Sequence, residues 1–69
     1  MLEYDARTAQ RVYDYALERV EEISSLGNDG ERYLTEGGLE IIGEALGLDK
    51  LAVGSVYYDN VCQALEDYD

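Results

Sequence analysis

A chain of 69 residues with 16 acidic and 5 basic side chains, net charge −11, is one domain whose surface repels nucleic acid and anionic membranes. At this length folding buries about 60% of the unfolded chain's surface, too little for both a core and a deep substrate pocket. With no histidine there is no Ser-His or Cys-His pair, and a single cysteine, Cys62, excludes an internal disulfide.

The hydrophobic fraction of 46% lies in the globular range, so the charge does not imply wholesale disorder. A domain of this size without disulfide staples fits a reducing cytoplasm. The start, Met-Leu-Glu-Tyr-Asp, has neither the basic region nor the apolar run of a signal peptide. No stretch approaches the roughly 20 apolar residues of a membrane span.

Apolar or small residues at Leu2, Ala6, Ala9, Tyr13, Ala16, Val20 and Ile23 step by four and three, the seam of an amphipathic helix from about Leu2 to Leu26. Val12 and Leu17 widen it. Gly27 ends it, and Asn28-Asp29-Gly30 reads as a turn. Glu31 to Thr35 fits either a short extended piece or one helical turn. A second helix is predicted from Glu36 to Leu46, burying Leu39, Ile42 and Leu46. Its glycines, Gly37, Gly38 and Gly43, each cost about 1 kcal/mol relative to Ala, so packing or close backbone approach must hold it. Gly47 is its C-cap. Asp49 caps a third helix from Lys50 to about Asp67, with Val53, Val56, Tyr57, Val61, Ala64, Leu65 and Tyr68 on its apolar face. The expected fold is all-α: a compact three-helix bundle with a long N-terminal helix and a helix-turn-helix-like C-terminal pair.

The acids are not placed for helix stability. Asp14, Glu18 and Glu22 fall at i, i+4 and i+8, with Glu21 alongside, forming a column of like charge that costs a few tenths of a kcal/mol per pair. Glu21 and Glu22 would sit near the predicted helix C-terminus, where the macrodipole disfavours anions, with Arg19 pairing Glu22. Glu66, Asp67 and Asp69 crowd the end of the third helix, with Asp59 on the same helix. Only one lysine, Lys50, is present. Such a column on a rigid helix presents fixed negative charge to a groove built for nucleic acid. Tyr15 and Tyr58 add flat contact area and hydroxyls for arginines.

In size, charge and helical build the chain resembles small phage-encoded DNA mimics, the anti-CRISPR and anti-restriction inhibitors. The resemblance rests on Asp14/Glu18/Glu21/Glu22 and Asp59/Glu66/Asp67 together with composition. It implies a non-enzymatic inhibitor in the cytoplasm of a bacterial host. Such an inhibitor occludes the basic DNA- or RNA-binding site of a defence complex such as a CRISPR effector. It uses no cofactor or metal and acts as a monomer or weak dimer. The expected contact residues are Asp14, Tyr15, Glu18, Glu21, Glu22, Tyr58, Asp59, Glu66 and Asp67. The alternative expectation is an acidic helical interaction or regulatory domain from a halophile, whose acid excess is an adaptation to salt.

Two other resemblances lead elsewhere. Ile42 to Val56 is similar to a helix-turn-helix, with Gly43, Gly47, Val53 and Val56 at its small, turn and apolar places. The would-be recognition helix offers Lys50, Ser55 and Asp59 and no arginine to read bases. Glu40–Leu48 is similar to the first helix of acyl carrier proteins, and Leu48-Asp49-Lys50-Leu51 to their attachment motif. Lys50 stands where the modified serine must be, so no phosphopantetheine can attach.

Catalysis finds no constellation. Cys62 has Asp59 and Glu66 as helical neighbours, which oppose thiolate formation. Asp29-Gly30-Glu31 lacks the alternating oxygen ligands of a calcium loop. Arg7 and Arg11 are expected to partner Glu3 and Tyr15. Among the tyrosines, Tyr13, Tyr57 and Tyr68 fall on apolar faces, while Tyr4, Tyr15, Tyr33 and Tyr58 are expected to be exposed.

Overall fold

Asp5 starts the first helix from an extended backbone. Its carboxylate accepts from the Thr8 backbone N–H at 3.0 Å and the Thr8 hydroxyl at 2.6 Å, satisfying donors the helix leaves free. These bonds hold the Asp5 carboxyl below its ordinary pKa. The Asp5 N–H in turn donates to the Tyr57 hydroxyl at 3.1 Å, which ties the helix start to a side chain only 4% exposed. The computed structural model describes residues 3–68; the seam position Leu2 and the terminal acid Asp69 lie outside them.

Helix α1 runs Ala6–Glu18. It does not continue to Leu26. Arg19 leaves helical geometry (φ −131°, ψ 32°), and Val20–Ile23 form a separate single turn, α2. The Ser24 hydroxyl donates to the Val20 carbonyl, giving that carbonyl a partner other than a further turn of helix. The chain then extends as β1, Ser24–Leu26, antiparallel to β2, Arg32–Leu34, with Ser25 opposite Tyr33. The open choice for Glu31–Thr35 is therefore resolved as strand. Between the strands Gly30 N–H donates to Gly27 C=O, and Gly30 takes φ +84°. Gly27 N–H donates to Glu31 C=O at 2.7 Å, closing a three-residue hairpin loop with glycine at its left-handed position. Asp29 stiffens the loop by accepting from the Glu31 N–H and the Tyr33 hydroxyl. These bonds hold its carboxyl below the ordinary pKa and raise that of Tyr33.

Thr35 joins hairpin to helix. Its N–H and hydroxyl both donate to the Ile23 carbonyl, while the same hydroxyl oxygen accepts from Gly38 N–H and caps α3, Glu36–Leu46. Gly47 ends α3 with φ +69°, its N–H returning to Gly43 C=O. Asp49 then caps α4, Lys50–Gly54, by accepting from Leu51 N–H at 3.0 Å. The predicted third helix is broken here. The Ser55 hydroxyl bonds back to the Leu51 carbonyl after a helical glycine, and Ser55 turns to φ −132°, ψ −72°. The chain resumes as α5, Tyr58–Asp67.

The result is mostly helical, 65% helix in five helices, with one two-stranded antiparallel sheet, and is neither all-α nor a three-helix bundle. The seam survives the breaks. Ala9, Val12, Ala16, Val20 and Ile23 are buried against Ile42, Val53, Tyr57, Val61, Ala64 and Leu65, and only Ala6 of the described seam positions is exposed. Burying each large side chain such as Ile23, Ile42 or Val61 contributes about 1.5–3 kcal/mol. α5 lies along α1, and α3 packs on α1, α2 and α4. Two glycines of α3 permit those approaches. A β-carbon at Gly38 would lie 2.1 Å from the Ile23 carbonyl oxygen, and one at Gly43 would lie 2.8 Å from that of Leu48.

Candidate partner-binding surface

The outward face of α1 is set by helical spacing. Arg7, Arg11, Asp14 and Glu18, at i, i+4, i+7 and i+11, are all exposed and lie opposite the buried Ala9, Val12 and Ala16. Asp14 and Glu18 therefore do stand one turn apart on a common solvent face, with two arginines continuing the same line toward the helix start. Among the described residues neither Arg7 nor Arg11 forms an ion pair with Glu3, and the ring of Tyr15 is covered by Arg19 instead, 4.4 Å from its centroid. Arg19 pairs with Glu18 at 3.6 Å and not with Glu22; both partners are well exposed, so the pair contributes little.

Glu21 and Glu22 are exposed, as expected, but the break at Arg19 moves them. They lie in the single turn α2, beyond the break, and not in the last turn of a long helix. The column is thus two segments, Asp14/Glu18 and Glu21/Glu22, on either side of a bend.

The second acidic group is also divided. Asp59 sits in the first turn of α5, Glu66 in its last, and both are exposed. Asp67 turns toward α1, where it accepts from the Tyr13 hydroxyl at 2.5 Å and from Gln63 at 3.0 Å. It is a clamp between two helices. The bond to Asp67 raises the Tyr13 pKa above 10.0, its unperturbed value. A folded state that holds the phenol proton more tightly keeps this contribution below the unfolded pKa and loses it as pH rises through the folded one. Melting temperature should accordingly fall as pH is taken above 10.0. Asp67→Asn should bring the Tyr13 phenolate absorbance transition back toward its ordinary pH. A transition unchanged in Asp67→Asn would contradict the clamp.

Tyr15 is half-buried, with the Arg19 guanidinium over its ring. Tyr58 is 44% exposed and borders an open groove of ≈ 640 Å³ between the hairpin and α5. Cys62, half-buried one turn along, raises the pKa of Tyr58. The facing wall comprises Leu26, Arg32 and Leu34, with Tyr68, Glu31 and Glu66 also lining the groove. Two of the exposed large apolar side chains, Leu26 and Tyr58, line this one place, while the Tyr33 ring lies on the other face of the hairpin, over Gly27 and bonded to Asp29. Leu26 was not expected here, because it also continued the helical seam. The available signal was the turn sequence Gly27-Asn28-Asp29-Gly30 between Ser24/Leu26 and Arg32/Leu34, alternating positions on one face of a hairpin.

Among the described residues, no group of three or more His, Cys, Asp or Glu side chains is placed to hold a metal ion. No described helix is long and apolar enough to cross a membrane. The Cα envelope is a rod of 36 × 19 × 18 Å. Without Asp69, ten net negative charges counted over all faces amount to about one per 3.6 Å of that axis, against one phosphate per 3.4 Å along a single DNA strand. No protein-family model, no curated protein and no solved structure matches the chain.

Proposed function

We propose that the chain is a non-enzymatic inhibitor that imitates nucleic acid and occludes the basic DNA- or RNA-binding site of a host defence complex, a CRISPR effector being the leading candidate. The observation that carries this reading is the linear charge density of the rod, close to that of one nucleic-acid strand. Asp14, Glu18, Glu21, Glu22, Asp59 and Glu66 supply exposed carboxylates. Lys50, the single lysine, is occupied by Glu36 and Glu40. Asp67 and Tyr15 also make contacts within the fold, Asp67 with Tyr13 and Gln63 and Tyr15 with Arg19.

A second reading, a salt-adapted interaction domain, is favoured by the spread of the acids. Exposed carboxylates occur on α1, α2, the hairpin, α3 and α5 alike. The two readings predict opposite responses to salt. A halophilic domain unfolds at low ionic strength through self-repulsion, whereas a mimic that works in a bacterial cytoplasm stays folded. Circular dichroism at low and at molar salt is the test. Loss of helical signal at low salt alone would overturn the mimic reading.

A further inference from the structure

The groove between β2 and α5 combines features that a uniformly acidic surface does not require. Its lining, more polar than apolar, brings Leu26 and Tyr58 together with the carboxylates of Glu31 and Glu66. Within the same groove the chain already shows what such a lining accepts. The Arg32 guanidinium lies over the Tyr68 ring at 5.1 Å from its centroid, and Arg19 does the same on Tyr15 outside it. Tyr58 carries no such cation among the described residues, although its ring is exposed in the groove that Glu66, two helical turns on, also lines.

From this lining we infer that the groove is a seat for an arginine side chain presented by the basic partner, its guanidinium plane stacked on Tyr58 and its charge met by Glu66 and Glu31. The assignment rests on the partner being basic, as proposed above, and adds where and by which side chain it is held. The chemistry selects arginine over lysine. A guanidinium is planar, more weakly hydrated than an ammonium, and stacks on a ring face while donating laterally to carboxylates; an ammonium is a compact hydrated point charge. Leu26, 63% exposed on the hairpin wall, gives the aliphatic stem an apolar surface. A volume of ≈ 640 Å³ accommodates that side chain together with its neighbours on the partner.

The test is an amide chemical-shift titration of the full chain with tri-arginine and, separately, tri-lysine peptide. The expected result is a saturable shift centred on Leu26, Tyr58 and Glu66, with tri-arginine bound at least about threefold more tightly than tri-lysine. Tyr58→Ala should remove that preference. Leu51→Ser, which alters an apolar residue 71% exposed and outside the groove, should preserve it. Equal affinities, or shifts spread evenly over all the acidic segments, would overturn the assignment. So would groove shifts that depend on protein concentration without peptide, because a second copy of the chain would then be the occupant. The two levels fail separately. An arginine preference at the groove in a protein that captures no nucleic-acid-binding complex would end the mimic reading alone. DNA-sensitive capture that persists undiminished in Tyr58→Ala would end the groove assignment alone.

Discussion

Gly38→Ala should destabilise the protein by about 2–3 kcal/mol, which for a domain of this size lowers the melting temperature by roughly 10–20 °C. The added β-carbon would lie 2.1 Å from the Ile23 carbonyl oxygen and 2.8 Å from its carbon. No flexible side-chain end is available to yield. That carbonyl is fixed by the Thr35 N–H at 3.0 Å and the Thr35 hydroxyl at 3.2 Å, and Ile23 is fully buried. To make room, α3 would have to lift from the junction of α2 and the hairpin. Gly37→Ala is the matched control. It lies on the exposed side of the same helix, its nearest neighbour the Thr35 hydroxyl at 3.9 Å, so it should gain about 0.5–1 kcal/mol from helix propensity. Thermal melts of the two variants should move in opposite directions. An unchanged melting temperature for Gly38→Ala would mean that the α2–α3 junction is looser than described.

Reversing Glu18 and Glu22 to lysine together should weaken partner binding by at least about tenfold at moderate salt and leave the fold intact. The pair moves the net charge from −11 to −7 and places two cations on opposite sides of the Arg19 bend. Both residues are exposed, so the stability cost stays within about 0.5 kcal/mol. Binding measured across a salt series should also show a shallower dependence in the double variant, since fewer counterions are exchanged. Inhibition unchanged in a folded double variant would remove these residues from the contact surface.

Much of the fold was legible in the chain because burial follows the periodicity directly. The second helix, its Gly47 cap and the Asp49 cap all lie where glycine and a capping carboxylate must place them. The core positions Ala9, Ala16, Val20 and Ile23 are also where the seam put them. The connections were not legible. Val20 and Ile23 fit a continuing helix as well as a separate turn, and the deciding bonds come from side chains or from distant residues: Ser24 to Val20, and Thr35 back to Ile23. The break at Ser55 has the same origin, a hydroxyl returning to Leu51.

The candidate surface was read less completely for a related reason. The exposure of Asp14, Glu18, Glu21, Glu22, Asp59 and Glu66 followed from their spacing, but their grouping did not, since it depends on the Arg19 bend and on how α5 is rotated. The contacts of Asp67 with Tyr13 and of Tyr15 with Arg19 are not displayed by the sequence, since each joins side chains that only the folded arrangement brings together. The groove needed the hairpin, and the hairpin was hidden beneath a helical pattern that ran to Leu26.

The most direct measurement of the central claim is capture of binding partners from host lysate on the tagged full chain, at moderate salt, with and without excess duplex DNA. The account predicts that a nucleic-acid-binding complex is retained and that DNA displaces it, because both compete for one basic surface. Retention of such a complex that is indifferent to DNA, or no retention of any basic protein, would contradict it.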